Sequence, residues 1–223
     1  GFRHRFHGER DAAALLYAIA GARRAAGSIR AFFEAELRPD EPDVGGLLSR
    51  VTGRLLALDY RPVLGRRRLP ERSPVRFFFP DPASGSACKR WNLYLRWMVR
   101  RDRLDFGLWP AIPTDRLIVP TDTHIHLVAR RLRLTRRKTA DWTAARQITR
   151  SLARFDPADP VRFDYALCRI GIFGICRREL RRSRCGECLA AAACPAGRRR
   201  IGSSVDRSIG PSAEGAGMGM VAS

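Results

Sequence analysis

The sequence is poor in acid, almost empty of lysine and free of long apolar runs, and each shortage excludes something. No apolar stretch approaches the roughly 18 uninterrupted residues of a membrane-spanning helix, which excludes an integral helical membrane protein. No helical stretch joins a basic face to a large aromatic face, so an anionic membrane surface is a poor partner too. The first 87 residues hold no cysteine, unlike a secreted disulfide scaffold, which would spread its cysteines through the chain. No segment alternates apolar and polar residues as a strand does, so the fold class expected is all-α. Gly1 to Asp11 lacks the apolar centre of a secretory signal. Gly1 in place of Met leads to the expectation that the true N-terminus lies upstream.

Acidic residues number 22 against 42 basic ones, a formal net charge of +20 on a chain of 223 residues. Such a balance favours polyanions, through phosphate contacts and release of condensed counterions. RNA binding rests on that charge alone. The hydrophobic share of 45% is enough for a sizeable core. The length suits one large domain or two small ones.

Helical spacing is expected over Asp11–Ala26, from the Ser28 cap through Leu37, over Val44–Leu58, from Trp91 to Val99 after a turn over Pro82 to Arg90, from Asp122 to Arg131, over Asp141–Arg154 and over Val161–Ile175. The Trp91–Val99 stretch is apolar nearly all round, so that helix should be central and buried. Arg61 to Pro82 reads as irregular. The expected division is a helical core over 1–175, a cysteine loop over 176–201, and a disordered Gly/Ser/Ala-rich tail over 202–223.

Only Lys89 and Lys138 among the basic residues are lysine. Arginine never loses its proton in a protein, whereas a lysine amine in a suitable setting becomes a nucleophile. Lys138 lies in an arginine run between two helical stretches. Lys89 opens a helix after the turn Pro82-Ala83-Ser84-Gly85-Ser86, and is the lysine with a structured setting.

Four of the six cysteines fall within 19 residues: Cys176, Cys185, Cys188 and Cys194. Four thiolates so close can surround one metal centre, and both tetrahedral zinc and a [4Fe–4S] cluster take four cysteines. The closed donor set points to a structural role, with arginines displayed on a metal-pinned loop.

Three segments in order carry a resemblance. The run Cys176…Cys185-Gly186-Glu187-Cys188…Cys194 looks like the iron–sulfur loop of endonuclease III-like DNA glycosylases, with two extra residues in the first gap. Val119-Pro120-Thr121-Asp122-Thr123-His124 and the helix after it, ending Arg131-Leu132, resemble that superfamily's catalytic aspartate segment. Pro82 to Asn92 is similar to its helix-hairpin-helix. From Ser84 to Ile172 the chain more closely resembles a bacterial branch of the superfamily, a domain of unknown function. That branch's signature is read here as Ser84-Gly85-Ser86-Ala87-Cys88-Lys89-Arg90, Trp97-Met98-Val99-Arg100, Asp105-Phe106-Gly107-Leu108-Trp109, Pro120-Thr121-Asp122-Thr123-His124, and Asp159-Pro160-Val161 through Asp164 to Cys168.

One departure bears on the site. The glycosylase lysine follows the hairpin glycine by two residues, where Ala87 stands. Lys89 follows Gly85 by four, but keeps the spacing to Asn92 and is the rarer residue. The 33-residue separation of Lys89 from Asp122 is also longer than in endonuclease III, with Asp102 to Pro113 as the insertion.

The resemblance implies a two-lobed helical glycosylase-like fold, a [4Fe–4S] cluster (zinc being the alternative) on the four cysteines, and double-stranded DNA as partner. It also implies a cytoplasmic, nucleoid-associated protein. A monomer is expected, with no obligate protein partner. Lys89 becomes the candidate nucleophile. Asp122 becomes the carboxylate beside the sugar C1′, a role compatible with capping a helix. Ser84, Gly85 and Ser86 would seat a phosphate at a helix N-terminus. Arg90 and His124 are candidate DNA contacts, and Trp109, on an irregular connection, is the candidate exposed ring for stacking. The rival expectation is a non-enzymatic DNA-binding or lesion-sensing module on the same scaffold.

Overall fold

The protein is described by a computed structural model over residues 3–4 and 7–208. Helices dominate, as the absence of strand alternation suggests. The exception among the described residues is a hairpin of two-residue strands, β1 (Arg3–His4) and β2 (His7–Gly8), too short for any alternation to show.

Helix α1 (Glu9–Ala26) begins where Asp11 accepts from the Gly8 amide at 2.9 Å. It buries Ala14, Ala18 and Ala22, one residue per turn on a single face. Gly27, at φ 79°, ends it in a conformation that costs other residues strain. Ser28 then caps α2 (Ile29–Glu34), accepting from the Ala31 amide at 3.0 Å. Helix α3 (Gly45–Leu56) adds Leu47, Leu48, Val51 and Leu55 to the same core. The stretch expected to be irregular holds the short α4 (Arg61–Leu64) and a 3-10 turn over Pro74–Phe78.

Helix α5 (Lys89–Val99) is central, but not buried all round: Asn92, Leu95, Arg96 and Val99 are buried, while Trp97 is exposed. Asp122 caps α6 (Thr123–Arg131), and Asp141 caps α7 (Trp142–Leu152). The stretch Val161–Ile175, expected as one helix, is a 3-10 turn over Pro160–Phe163 followed by α8 (Asp164–Ile172). Helix α8 packs chiefly on α6. Their approach is close at Gly171, where an added Cβ would lie 2.7 Å from His124 Cβ. Helix α9 (Pro195–Ser208) runs through the first residues assigned to the tail, so the expected disordered segment is helical as far as Ser208. The remainder of that segment, 209–223, lies outside the described residues. No described helix is long and apolar enough to cross a membrane.

Candidate active site

Lys89 and Asp122, 33 positions apart in sequence, meet. Lys89 Nζ donates to Asp122 Oδ2 at 2.9 Å. Each stands at a helix start. Lys89 is the first residue of α5, and Asp122 is the N-cap of α6, whose Oδ1 accepts from the amides of His124 and Ile125, both at 2.9 Å. The carboxylate thus has one oxygen committed to the cap and the other to the amine.

Burial pushes the Asp122 carboxyl up. The bond from Lys89 and the amides of Ile125 and His124 overcome it, and hold the group below the usual carboxylate range. The Lys89 side chain is about half exposed (47%) and the Asp122 side chain is 15% exposed, so the pair sits at a surface with its acid tucked in.

The hairpin before Lys89 is tightly organised. Gly85 adopts φ 83°, and its carbonyl accepts from the Trp142 amide at 3.0 Å, which fastens the turn to α7. The amides of Ser84 and Gly85 donate to Asp81 O and Pro82 O, and Ser84 Oγ donates to Asp81 O. Ser86 Oγ accepts from the Cys88 amide at 3.2 Å. The Ser84 and Gly85 amides are thus committed within the turn, whereas the first-turn amides of α5, at Lys89 to Trp91, have no acceptor within the helix. Cys88, at φ 47°, takes the left-handed conformation that aims this turn. Ser84, Ser86, Lys89 and Arg90 line one open cavity of about 760 Å³, together with Glu71, Arg76 and the apolar Phe77 and Leu93. Arg90 Nη1 donates to Phe77 O at 2.7 Å.

Of the other expected contacts, His124 is exposed beside Asp122. Trp109 is not an exposed ring. It is 4% exposed, with its centroid 5.1 Å from Phe33 and 5.3 Å from Tyr94. The Trp109 amide donates to Met98 O at 2.8 Å, drawing the irregular connection back onto the core. Phe33 and Tyr94, with Phe79 and Trp91, wall an apolar cavity of about 320 Å³ beside Arg90.

The site also contains groups that sequence reading did not single out. Asp164, at the start of α8, is buried, with one oxygen bonded to Arg96 and the other without a partner. Burial pushes its carboxyl up to about 6, Arg96 pulls it down, and the charges of Asp122 and Asp105 reinforce the rise. Cys168, one turn later, is half-buried. Its thiol is raised by burial and by Asp122 and Asp164, against Lys89 and Arg96. Arg96 also bonds Asp105 at 3.1 Å, and Arg100 bonds Asp105 and, at 2.9 Å, Asp159. This chain of buried charge ties α5, the 102–109 loop and α8 together behind the Lys89–Asp122 pair. Its acids were visible in the signature segments, but only as separate motifs.

The four cysteines of the C-terminal run line one small cavity of about 30 Å³, and none is in a disulfide. Arg131, the last residue of α6, is the hub of this loop. Its Nη1 donates to Cys176 Sγ at 3.0 Å and to Ser183 Oγ at 2.9 Å, and its Nη2 to Arg178 O at 2.9 Å. The Gly197 amide points at Cys194 Sγ, 3.3 Å away. Donors aimed at sulfur suit thiolate ligands. The spacing is less complete than the chemistry. Among the described residues no group of three or more His, Cys, Asp or Glu is arranged to hold a metal ion. Tetrahedral zinc would need sulfurs about 3.8 Å apart, from Zn–S bonds near 2.3 Å. The four thiols share one cavity but do not stand at the spacing of a bound ion, so the sulfurs must draw together before they could hold one.

The sequence pattern of one protein family, described as Protein of unknown function (DUF2400), matches residues 1–173. The match takes in Lys89 and Asp122 and ends before Cys176. No curated protein and no solved structure matches the chain.

Proposed function

The chain belongs to the DUF2400 family, and we propose that it acts as a cytoplasmic DNA N-glycosylase of the helix-hairpin-helix kind, with lyase activity at Lys89. The observation that carries this reading is the 2.9 Å contact between Lys89 Nζ and Asp122 Oδ2. A sequence-distant amine and carboxylate meet at two helix starts, beside an open cavity, in a chain of charge +20.

The chemistry follows from the two groups. Cleaving an N-glycosidic bond builds positive charge at the sugar C1′, and Asp122, kept ionised at neutral pH, stabilises it. An extruded sugar entering between the two groups separates them, and the amine gives its proton to solvent. Nζ then bonds C1′ as the C1′–base bond breaks, and the base leaves with a proton. Opening of the sugar yields a Schiff base, from which β-elimination expels the 3′ phosphate. The first-turn amides of α5 and Arg90 hold the backbone without reading sequence. Cys176, Cys185, Cys188 and Cys194 would hold a [4Fe–4S] cluster, which when bound supplies a structural pin for the arginine loop.

Borohydride trapping on abasic and lesion-bearing duplexes tests the reading. A covalent adduct in wild type that disappears in Lys89→Ala supports it. Equal trapping by Lys89→Ala sinks the nucleophile. Binding without turnover in both wild type and Asp122→Asn would favour a lesion-sensing module. A colourless preparation with stoichiometric zinc would replace the cluster by zinc.

A further inference from the structure

The outer face of α8 carries an arrangement that the proposed chemistry leaves unused. Tyr165, Arg169 and Phe173 follow one another at four-residue spacing, so they share one face and rise by about 6 Å per step. The Arg169 guanidinium lies over both rings, 4.9 Å from the Tyr165 centroid and 4.4 Å from that of Phe173. Its Nη1 also donates to the Tyr165 hydroxyl. The rings are nonetheless exposed, at 41% and 51%, with Ile172 between them at 59%. Large apolar groups left in water at one place mark an interaction surface. The cation fixes these two upright, so little side-chain entropy remains to be lost on binding.

The opposite side of the same helix is built into the candidate active site. Gly171 abuts His124, and Cys168 responds to the charges of Lys89 and Asp122. The ladder therefore stands on an element that flanks the Lys89–Asp122 pair. Downstream the chain continues into Arg177, Arg178, Arg181, Arg182 and Arg184, all exposed.

An occupant must satisfy flat apolar faces, a guanidinium wedged between them, and a cationic border. A lipid or an apolar protein face would strip water from the guanidinium with nothing to replace it. A paired duplex keeps its base faces stacked inside. A single strand offers free base faces for the rings and the guanidinium, and phosphates for the bordering arginines. We propose that Tyr165, Arg169 and Phe173 form a stacking surface for unpaired bases of a DNA strand leading to the site. The substrate class is then DNA with a single-stranded or unpaired stretch. This deepens the glycosylase reading and rests on it for the identity of the polyanion.

The test titrates the full-length protein with a fluorescent fifteen-nucleotide oligothymidine and with a hairpin duplex of equal phosphate count. The variants are Tyr165→Ala/Phe173→Ala and Tyr165→Trp/Phe173→Trp. The double alanine variant should bind the single strand at least about tenfold more weakly, from the usual worth of base–aromatic stacking. Its affinity for the duplex should change less than threefold. Its salt slope should match wild type, because the rings carry no charge. The double tryptophan variant should restore single-strand affinity, which separates stacking from a damaged fold. Unchanged single-strand binding in the alanine variant, or equal losses on both probes, overturns the proposal. Absence of both base release and any borohydride adduct in wild type, with the ladder's single-strand preference intact, would sink the glycosylase reading and leave the surface standing.

Discussion

Asp122 holds two jobs on two oxygens, and the substitutions Asp122→Asn and Asp122→Ala separate them. Oδ1 caps α6 through two amides, and Oδ2 pairs with Lys89. Asparagine caps a helix about as well as aspartate, so Asp122→Asn keeps the cap and loses the charge. The lost ion pair is worth at most about 1 kcal/mol, because Lys89 is half exposed and water screens the contact. Alanine also loses the cap, at a further cost of about 1 kcal/mol. For a chain of this size, about 1 kcal/mol moves Tm by roughly 2–4 °C. Asp122→Asn should therefore melt about 2–4 °C below wild type, and Asp122→Ala about 4–8 °C below, at pH 7. The carboxyl is lowered in the folded state. Its stabilisation is therefore complete above the unfolded value near 4, and is lost as pH falls through the folded one. The melting curves of wild type and Asp122→Asn should consequently converge in acid. In the trapping assay both variants should lose the adduct. Equal melting temperatures for the two variants would refute the cap. A full adduct yield in Asp122→Asn would refute any need for the charge.

Other substitutions probe the frame. Trp109→Ala should cost about 3–5 kcal/mol, measured by urea unfolding, because the ring is buried against Phe33 and Tyr94; a loss under 1 kcal/mol would mean that it is not packed. Gly171→Ala should gain helix propensity but lose more to the 2.7 Å approach of His124, for a net destabilisation of about 1 kcal/mol in the same assay. Asp105→Ala should cost about 3–5 kcal/mol, because it strips a shared partner from two buried guanidinium groups. Asp164 has the opposite pH sign from Asp122. Its folded pKa, near 6, lies above the unfolded value, so the folded state binds the extra proton and stability falls as pH rises from about 4 to 6. Urea unfolding at pH 5 and pH 7 should show that slope in wild type and not in Asp164→Asn.

Sequence reading succeeded where chemistry is local. Ser28 and Asp122 were legible as caps because a short acceptor before an apolar period has few other uses. Lys89 stood out because the chain otherwise uses arginine. Trp109 was misread because periodicity says nothing about a connection that folds back. Its amide bond to Met98 O and its two ring neighbours are long-range facts. The short 3-10 turns escaped for a related reason, since three to five residues carry no period.

The buried charges mark where one-dimensional reading stops and also what it contained. Arg100, Asp105, Asp159 and Asp164 each lay inside a recognised signature segment, yet nothing in the spacing says that they touch. Brought together with Arg96, they form a continuous path from α5 through the 102–109 loop to α8. Burying such pairs seldom adds net stability over apolar packing, whereas removing one member is severe. Their effect here is therefore best sought in geometry. They fix the start of α8 against α5, and α8 in turn abuts α6 at Gly171, one turn from the Asp122 cap. The signature segments thus describe a clamp around the Lys89–Asp122 pair more than a set of reacting groups. Replacing Arg96 and Asp164 together by apolar residues of similar volume separates the alternatives. A clamp predicts a folded protein of near-normal Tm with reduced adduct yield. A merely stabilising network predicts a lowered Tm, with the yield per folded molecule unchanged.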